Sequence, residues 1–398
     1  MKKAKINITS LAIERTGGTR ATFEIANRLH DLNYDVTITT LAGDYSWFPL
    51  KVKVNYVTSV PNKRLATALD SVARAYRGFR GRYTASTLFY LSRLLKINLG
   101  AGLDLIPYLA ENLPDCDVNI ATWYPTAFAV YFSWRGRPYY FVQDFQAMVA
   151  EQCDFYRNYC LRMFEASLRL PFYFLTNSTY TRNLVTSYQP DAKIKVVGVG
   201  VNDQCFYPRK KKILEDMTKP KVMVIIRGFK FKGDEVAVKV LNIVNKKLPI
   251  HAVLVGAHRS ILKVFSSVKP EFGYTCFGIV NDEKLATLYS SVDLFLYTSY
   301  VESFGLPPLE AMACGTPVVS TDCLGNRDYV NNGYNCLLTP TGDVEKISKT
   351  SLRLLTNSDL ADRLVRGGLE TSKQFKWDKV VERFEEALRA PEEDNEIS

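Results

Sequence analysis

Two carboxylates eight positions apart, Glu302 and Glu310, bracket the string Ser303-Phe304-Gly305-Leu306-Pro307-Pro308-Leu309, which continues through Ala311-Met312-Ala313-Cys314 to Gly315. An apolar run, Val292 to Tyr297, leads into it. Gly315 stops the helix, and Pro317 to Thr321 opens another strand. The pattern is a β-loop-α-β unit whose loop leaves backbone N–H groups bare at a helix N-terminus, which attracts phosphate. Carboxylates beside a phosphate would repel it unless they accept hydrogen bonds from hydroxyls further along the ligand. The chemistry indicated is recognition of a ligand that is both phosphorylated and polyhydroxylated.

A second group supplies opposite charge. Arg227 follows an apolar run, Val222–Ile226, and Lys232-Gly233 comes five positions later, before a helix with Asp234 as its N-cap candidate. Fixed cations whose grip tightens as charge builds on a departing phosphate lower a transfer barrier. Gly17-Gly18-Thr19 lies between the first strand and the first helix, where glycines let a ligand approach backbone. Asp144 ends the Tyr139–Val142 strand. It could hydrogen-bond an acceptor hydroxyl or cap a turn, and both readings stay open.

These residues need a scaffold. Ala4–Thr9, Val36–Thr40, Val118–Thr122, Tyr139–Val142, Phe172–Thr176 and Lys193–Val197 read as short strands, with helical patterns such as Thr19–Leu32 between several of them. A second series has strands at Val222–Ile226, Ile250–Val255, Tyr274–Phe277, Leu294–Tyr297 and Val318–Ser320, with Asn281 as a helix N-cap. The alternation implies two α/β domains on parallel sheets. The expected division is 1–205, a linker at 206–220, a second domain at 221–375, a C-terminal helix at 376–390 and a disordered tail at 391–398.

Length and composition fit such a protein. The 398 residues are 47% hydrophobic and 23% charged, and no apolar run is long enough to span a bilayer. The basic, then apolar start reads as a first strand rather than a signal peptide. Eight cysteines without CxxC spacing and only three histidines argue against a zinc or disulfide framework, so reduced thiols in a cytoplasmic protein are expected. The net charge of +10 suggests an anionic partner. In 62–97, Lys63, Arg64, Arg74, Arg77, Arg80, Arg82, Arg93 and Lys96 face one acid, Asp70, with Tyr76, Phe79, Tyr83, Phe89 and Tyr90 interleaved. That composition suits an anionic membrane surface; a solvated helix pair with core aromatics is the alternative. Nucleic acid is not expected, because no recognised motif supports it.

The string from Glu302 to Gly315 resembles the signature of family 4 glycosyltransferases, retaining enzymes of the GT-B fold. Arg227 and Lys232-Gly233 fit the same family, as do Gly17-Gly18, Asn177-Ser178-x-x-Thr181-Arg182 and Gly198-Val199-Gly200-Val201-Asn202. Thr122-Trp123-Tyr124-Pro125-Thr126-Ala127 and Tyr139 to Gln146 are similar to its rhamnosyltransferase-like branch. The resemblance implies two Rossmann-like domains facing each other across a cleft, with the C-terminal helix returning toward the first. It implies that Ser303, Phe304, Gly305 and Leu306 hold the donor diphosphate, Glu310 the ribose and Glu302 the donor sugar. Backbone at Ile279-Val280 would read the base. Two departures stand out: no histidine lies near Trp123, and Asn202 replaces the usual acid.

The expected activity is metal-independent transfer of a sugar, with retention, from a nucleoside-diphosphate sugar to a glycan or lipid-linked glycan. No cofactor is expected, since Arg227, Lys232 and the helix terminus supply the positive charge. Asp115-Cys116-Asp117 spells the DxD that carries metal in GT-A transferases, but it sits at a strand entry after Pro114, where α/β proteins often place acids. The alternatives are a sugar-nucleotide 2-epimerase of the same fold and a catalytically silent scaffold. The rhamnosyl resemblance makes dTDP-rhamnose the leading donor.

Overall fold

Side chains of alternating polarity, all buried, run from Ile6 to Thr9 within Lys5–Ile13 (β1), a central strand of the first sheet, with Ile6 and Ile8 packed on one face. The opposite face of β1 is polar yet also buried. Its Asn7 and Thr9 bond to Thr39 and Asn119 on neighbouring strands, with Thr39 Oγ1 donating to Asn7 Oδ1 at 2.7 Å and Asn7 Nδ2 to Asn119 Oδ1 at 2.9 Å. Such a satisfied network fixes register, because a one-residue slip would strand each group unpaired. The computed structural model describes residues 3–57, 106–152, 157–210, 213–214 and 216–393. The basic and aromatic segment 62–97 lies outside the described residues.

Among the described residues the first sheet has seven strands in the order β3-β2-β1-β4-β5-β6-β7. These are β1, Asp35–Gly43 (β2), Lys53–Tyr56 (β3), Val118–Ala121 (β4), Arg137–Val142 (β5), Tyr173–Thr176 (β6) and Ile194–Val196 (β7). Both neighbours of β1 are parallel to it. Order reverses between β1 and β4, which is the switch point where α/β sheets open a ligand crevice. Helix Gly17–Asp31 (α1) follows β1, capped by Thr16, whose Oγ1 accepts from Thr19 N. Ile106–Glu111 (α2) and Tyr124–Ser133 (α3) flank β4, with Trp123 as the N-cap of α3. Gln146–Gln152 (α4), Arg157–Ser167 (α5) and Thr179–Tyr188 (α6) complete the helices of this half.

The second sheet has six described strands, all parallel, ordered β10-β9-β8-β11-β12-β13. They are Lys221–Ile225 (β8), His251–Val255 (β9), Gly273–Cys276 (β10), Leu294–Tyr297 (β11), Val318–Thr321 (β12) and Leu337–Thr339 (β13). Its core joins Val222, Val224, Leu254, Leu294 and Leu296 to helix Asp234–Lys247 (α7) through Val240, Leu241 and Val244. The remaining helices are His258–Ser267 (α8), Asp282–Ser290 (α9), Leu306–Ala313 (α10), Val344–Leu355 (α11), Ser358–Gln374 (α12) and Trp377–Glu393 (α13). Here the switch point lies between β8 and β11.

The chain forms two compact units: Met1–Leu175 with Val185–Ile194, and Thr176–Leu184 with Lys195–Ser398. Part of the stretch read as a linker is packed against the second unit. Arg209 pairs with Glu283 at 2.7 Å, and its backbone N–H donates to Ser290 Oγ. The last helix, α13, runs on into residues 391–393 of the stretch read as a tail. Strands β3 and β13 are absent from the sequence reading: Lys53–Tyr56 is not uniformly apolar, and Leu337–Thr339 sets no period. Asn281 caps α9 as expected, accepting from Lys284 N at 2.9 Å. Asp234 is different: Gly233 takes the N-cap position of α7. The carboxylate of Asp234 turns back to accept from Arg227 N at 3.0 Å and Gly228 N at 2.6 Å. All seven described cysteines are free. No described helix is long and apolar enough to cross a membrane.

Candidate active site

In the second unit the candidate residues leave the carboxyl ends of adjoining strands. Arg227 follows β8, Ile279 and Val280 follow β10, and Glu302 follows β11. Because β8 and β11 are neighbours across the switch point, the loops after them meet. Lys232 Nζ lies 2.8 Å from both Glu302 Oε1 and Oε2. Behind the pair, Thr298 Oγ1 donates to Gly233 O at 2.9 Å. Gly233 sits in the left-handed region at φ 64°, and a Cβ there would stand 2.1 Å from Thr298 O. Only glycine lets the turn carrying Lys232 dock this closely on the β11 loop.

Arg227 is exposed and makes no ion pair with any described residue, so its guanidinium is available to an anion. Its main chain is fixed by Asp234. Burial pushes the Asp234 carboxyl up to about 6, against the pull of the Gly228 and Arg227 N–H groups. The loop Ser303-Phe304-Gly305 adds neutral donors, since none of its three N–H groups reaches an acceptor among the described residues. Pro307 and Pro308 in the first turn of α10 carry no N–H. The anion-binding capacity of this helix start therefore rests on the loop amides and Leu306. Gly305, at φ 81°, is the N-cap. Its carbonyl is held by the Tyr329 hydroxyl. Phe304 packs on Tyr329 and Phe375, with ring centroids 5.2 and 6.2 Å away.

Both signature carboxylates are buried and held by buried tyrosines. Tyr297 Oη donates to Glu302 Oε1 at 2.7 Å, and Ser299 Oγ donates to the same oxygen at 2.7 Å. Tyr289 Oη donates to Glu310 Oε2 at 3.3 Å. Gly315, at φ 74°, ends the helix carrying Glu310. Ile279 is 66% exposed, an apolar side chain left at the crevice side of the sheet. Asn177 Nδ2 reaches Ser303 Oγ at 3.0 Å, and Thr179 N reaches Asp328 Oδ2 at 2.8 Å. A cavity of about 370 Å³ lies against Phe304, lined also by Asp328, Phe375 and Arg383.

In the first unit, Gly17 and Gly18 start α1. Neither has a left-handed backbone. Gly17 faces open space, whereas a Cβ on Gly18 would touch Gln143 Oε1 at 3.3 Å. Asp144 is 3% exposed and turned inward. Its Oδ2 accepts from Tyr124 N at 3.2 Å and Tyr140 Oη at 3.3 Å, anchoring the start of α3. Burial pushes its carboxyl up to about 8. The two acids of Asp115-Cys116-Asp117 diverge: Asp117 accepts from Lys5 N at 2.7 Å, while exposed Asp115 stands 3.7 Å from Arg135. No group of three potential ligand side chains is arranged for a metal among the described residues.

Sequence reasoning passed over Tyr297, Ser299, Tyr289, Tyr329 and the loop-holding role of Asp234. Tyrosines inside apolar runs such as Leu294–Tyr297 read as core. The usable signal was a hydroxyl at the strand end, three to five residues before a carboxylate.

Two parallel-sheet α/β units of this kind make the architecture of the GT-B fold. Anabaena HepE, solved with UDP-glucose, aligns with a TM-score of 0.73 over 98% of this chain and 100% of that one, at 17% identity, a likeness of fold. Residues 208–371 match the model of the family Glycosyl transferases group 1. It is 38% identical over 104 residues to O-antigen chain mannosyltransferase B of Escherichia coli, covering 26% of this chain and 27% of that one. A longer alignment of 312 residues, 26% identical, covers 74% of this chain and 78% of the N,N'-diacetylbacillosaminyl-diphospho-undecaprenol alpha-1,3-N-acetylgalactosaminyltransferase of Campylobacter jejuni. The chain spans about a quarter of the length of the first curated relatives it matches.

Proposed function

We propose that this protein is a retaining glycosyltransferase of family 4, moving a sugar from a nucleoside-diphosphate sugar to a glycan or lipid-linked glycan. The observation that carries the reading is the meeting of unlike groups at one switch point. An unpaired Arg227, a Lys232 fixed by Glu302 and three unengaged loop amides surround space beside two buried carboxylates. Cations and amides suit a diphosphate; buried carboxylates suit hydroxyls. Glu310 holds the ribose, Glu302 the transferred sugar, and Ile279-Val280 flank the base.

In the transfer step the bond from the anomeric carbon to the diphosphate oxygen breaks, with both electrons leaving on the diphosphate. The acceptor oxygen bonds to the same carbon on the same face, and its proton passes to the departing phosphate. Arg227, Lys232 and the loop amides stabilise the charge that develops there. This reading assigns the phosphate charge to protein cations, so turnover persists in chelator. Asp144, buried against Tyr124 and Tyr140, acts as a positioning residue beneath Trp123.

A lipid-linked acceptor is favoured by the Campylobacter relative's name and by the basic, aromatic composition of 62–97, which would bring the enzyme to an anionic inner membrane surface. The rhamnosyltransferase-like motifs in Thr122–Ala127 and Tyr139–Gln146 put dTDP-rhamnose first among donors. The test is release of free nucleoside diphosphate from a panel of UDP-, GDP-, ADP- and dTDP-sugars, with and without acceptors. At least one donor should be consumed, and Arg227→Ala should cut the signal about a hundredfold or more. No release from any donor would favour a silent scaffold, and conversion of a sugar nucleotide to its 2-epimer would favour the epimerase.

A further inference from the structure

Glu302 is engaged more completely than a carboxylate waiting for a sugar need be. Its Oε1 takes three donors: Tyr297 Oη and Ser299 Oγ at 2.7 Å each, and Lys232 Nζ at 2.8 Å. Oε2 takes only Lys232, also at 2.8 Å. A carboxylate offers about four lone-pair sites, two on each oxygen. Oε1 is therefore saturated, while Oε2 retains a place for one more donor.

The hydroxyls are themselves fixed. Tyr297 closes β11 with its ring stacked on Phe295, centroids 6.1 Å apart. Burial and the adjoining Glu302 carboxylate hold its phenol well above the ordinary range, so it remains a donor. The Ser299 carbonyl accepts from Thr321 Oγ1 at 2.5 Å, tying Ser299 to β12. On the other side, Thr298 fastens Gly233 and with it the Lys232 turn. An ordinary surface ion pair has no such frame, and its two long side chains would be free to part.

We propose that Tyr297 and Ser299 are positioning residues of the donor site: they seize Glu302 by Oε1, which immobilises Lys232 and presents Oε2 to a single hydroxyl of the transferred sugar. The proposal deepens the glycosyltransferase reading and rests on it for the identity of the sugar. Its physical core, the hydroxyl-held carboxylate fixing the lysine, does not. A clamp of this kind acts on the sugar-bearing donor and, through Lys232, on the charge that develops during transfer, whereas the bare nucleotide is gripped mainly by Arg227, the loop amides and Glu310.

The full chain is tested as Tyr297→Phe, Ser299→Ala and the double variant, all of which keep side-chain volume close to the original. Mass-spectrometric footprinting with an amine-acylating reagent reads Lys232 directly. In the double variant Lys232 should become at least threefold more reactive, with Lys221 and Lys246 unchanged as references. Unaltered Lys232 reactivity overturns the proposal, and so does a parallel rise at all three lysines, which would make the hydroxyls mere supports of the fold. On the functional side, kcat with the best donor should fall tenfold or more while the Kd of the matching nucleoside diphosphate stays within twofold. An equal loss in nucleotide affinity overturns the selectivity for sugar. If wild-type protein turns over no donor yet Lys232 responds as expected, the clamp stands and the transferase reading falls.

Discussion

Arg227 and Asp144 show how one residue type gains a task from its surroundings. Arg227 is exposed, and Asp234 holds its backbone rather than its side chain. Removing the guanidinium therefore leaves the fold intact. Arg227→Ala should lower turnover by about 10²–10³, or roughly 2.7–4 kcal/mol of transition-state stabilisation, by analogy with other preorganised electrostatic donors. Its urea midpoint should match wild type. Asp144 lies at the other extreme, buried and raised to about 8 from an ordinary 3.8. Between those values the unfolded chain sheds this proton while the native protein keeps it. Native protein then binds more protons, so the contribution of Asp144 to stability declines as pH rises through that window and levels off above it. Asp144→Asn lacks that titration. Urea unfolding at pH 5 and pH 8 should show the variant gaining on wild type at the higher pH; an equal difference at both would contradict the burial argument. The Glu302 and Glu310 pair and the Arg227 and Lys232 spacing were legible because they are strings of unusual composition. The hydroxyls that hold the glutamates were not, because a tyrosine closing an apolar run reads as core, and its spacing to Glu302 gains meaning only once the carboxylate is known to be buried.

Elements explain why these side chains converge. The adjacency of β8 and β11 comes from a crossover, and no local pattern announces it. Once the two strands pair, Gly233 decides how closely their loops approach. Gly233→Ala combines a left-handed backbone with a Cβ at 2.1 Å from Thr298 O. It should cost about 1–3 kcal/mol of stability by strain alone, read as a lower urea midpoint, and it should reduce donor turnover because Lys232 rides on the same turn. A midpoint equal to wild type would mean that the two loops are not locked together. Helix boundaries were partly legible for the same local reasons: Asn281 and Gly315 act where their chemistry places them. Asp234 was read as a cap because Asp commonly is one. Burial of its carboxylate against the Arg227-Gly228 turn redirects it to the neighbouring loop. The pair of prolines in α10 carries a related lesson. A helix N-terminus was expected to supply the phosphate donors, yet Pro307 and Pro308 remove two of them and shift the task to Ser303-Phe304-Gly305.

For the molecule as a whole, alternating strands and helices in both halves were enough to give two parallel-sheet units, since a buried parallel strand reads as a short apolar run. Strand β3 escaped because Lys53 and Asn55 interrupt its apolar pattern, and β13 because two leucines followed by a threonine set no period. The packing of Arg209 on Glu283 escaped because a basic, proline-flanked stretch looks like a linker whichever neighbour it meets. The net charge of +10 suits the anionic donor and the anionic membrane surface proposed for this protein. Vesicles containing anionic lipid should retain the protein at low salt and release it at high salt; no retention at low salt would sever 62–97 from membrane binding. Ligand binding to the native state raises stability by mass action, so a matching nucleoside diphosphate at 100 times its Kd should add about 2.7 kcal/mol. The most direct measurement is calorimetric titration of the full chain with UDP, GDP, ADP and dTDP, repeated on Arg227→Ala. We expect at least one nucleotide to bind, and the variant to bind it tenfold or more weakly. Binding of none of the four, or equal binding by the variant, would contradict a nucleotide-sugar site at the switch point of β8 and β11.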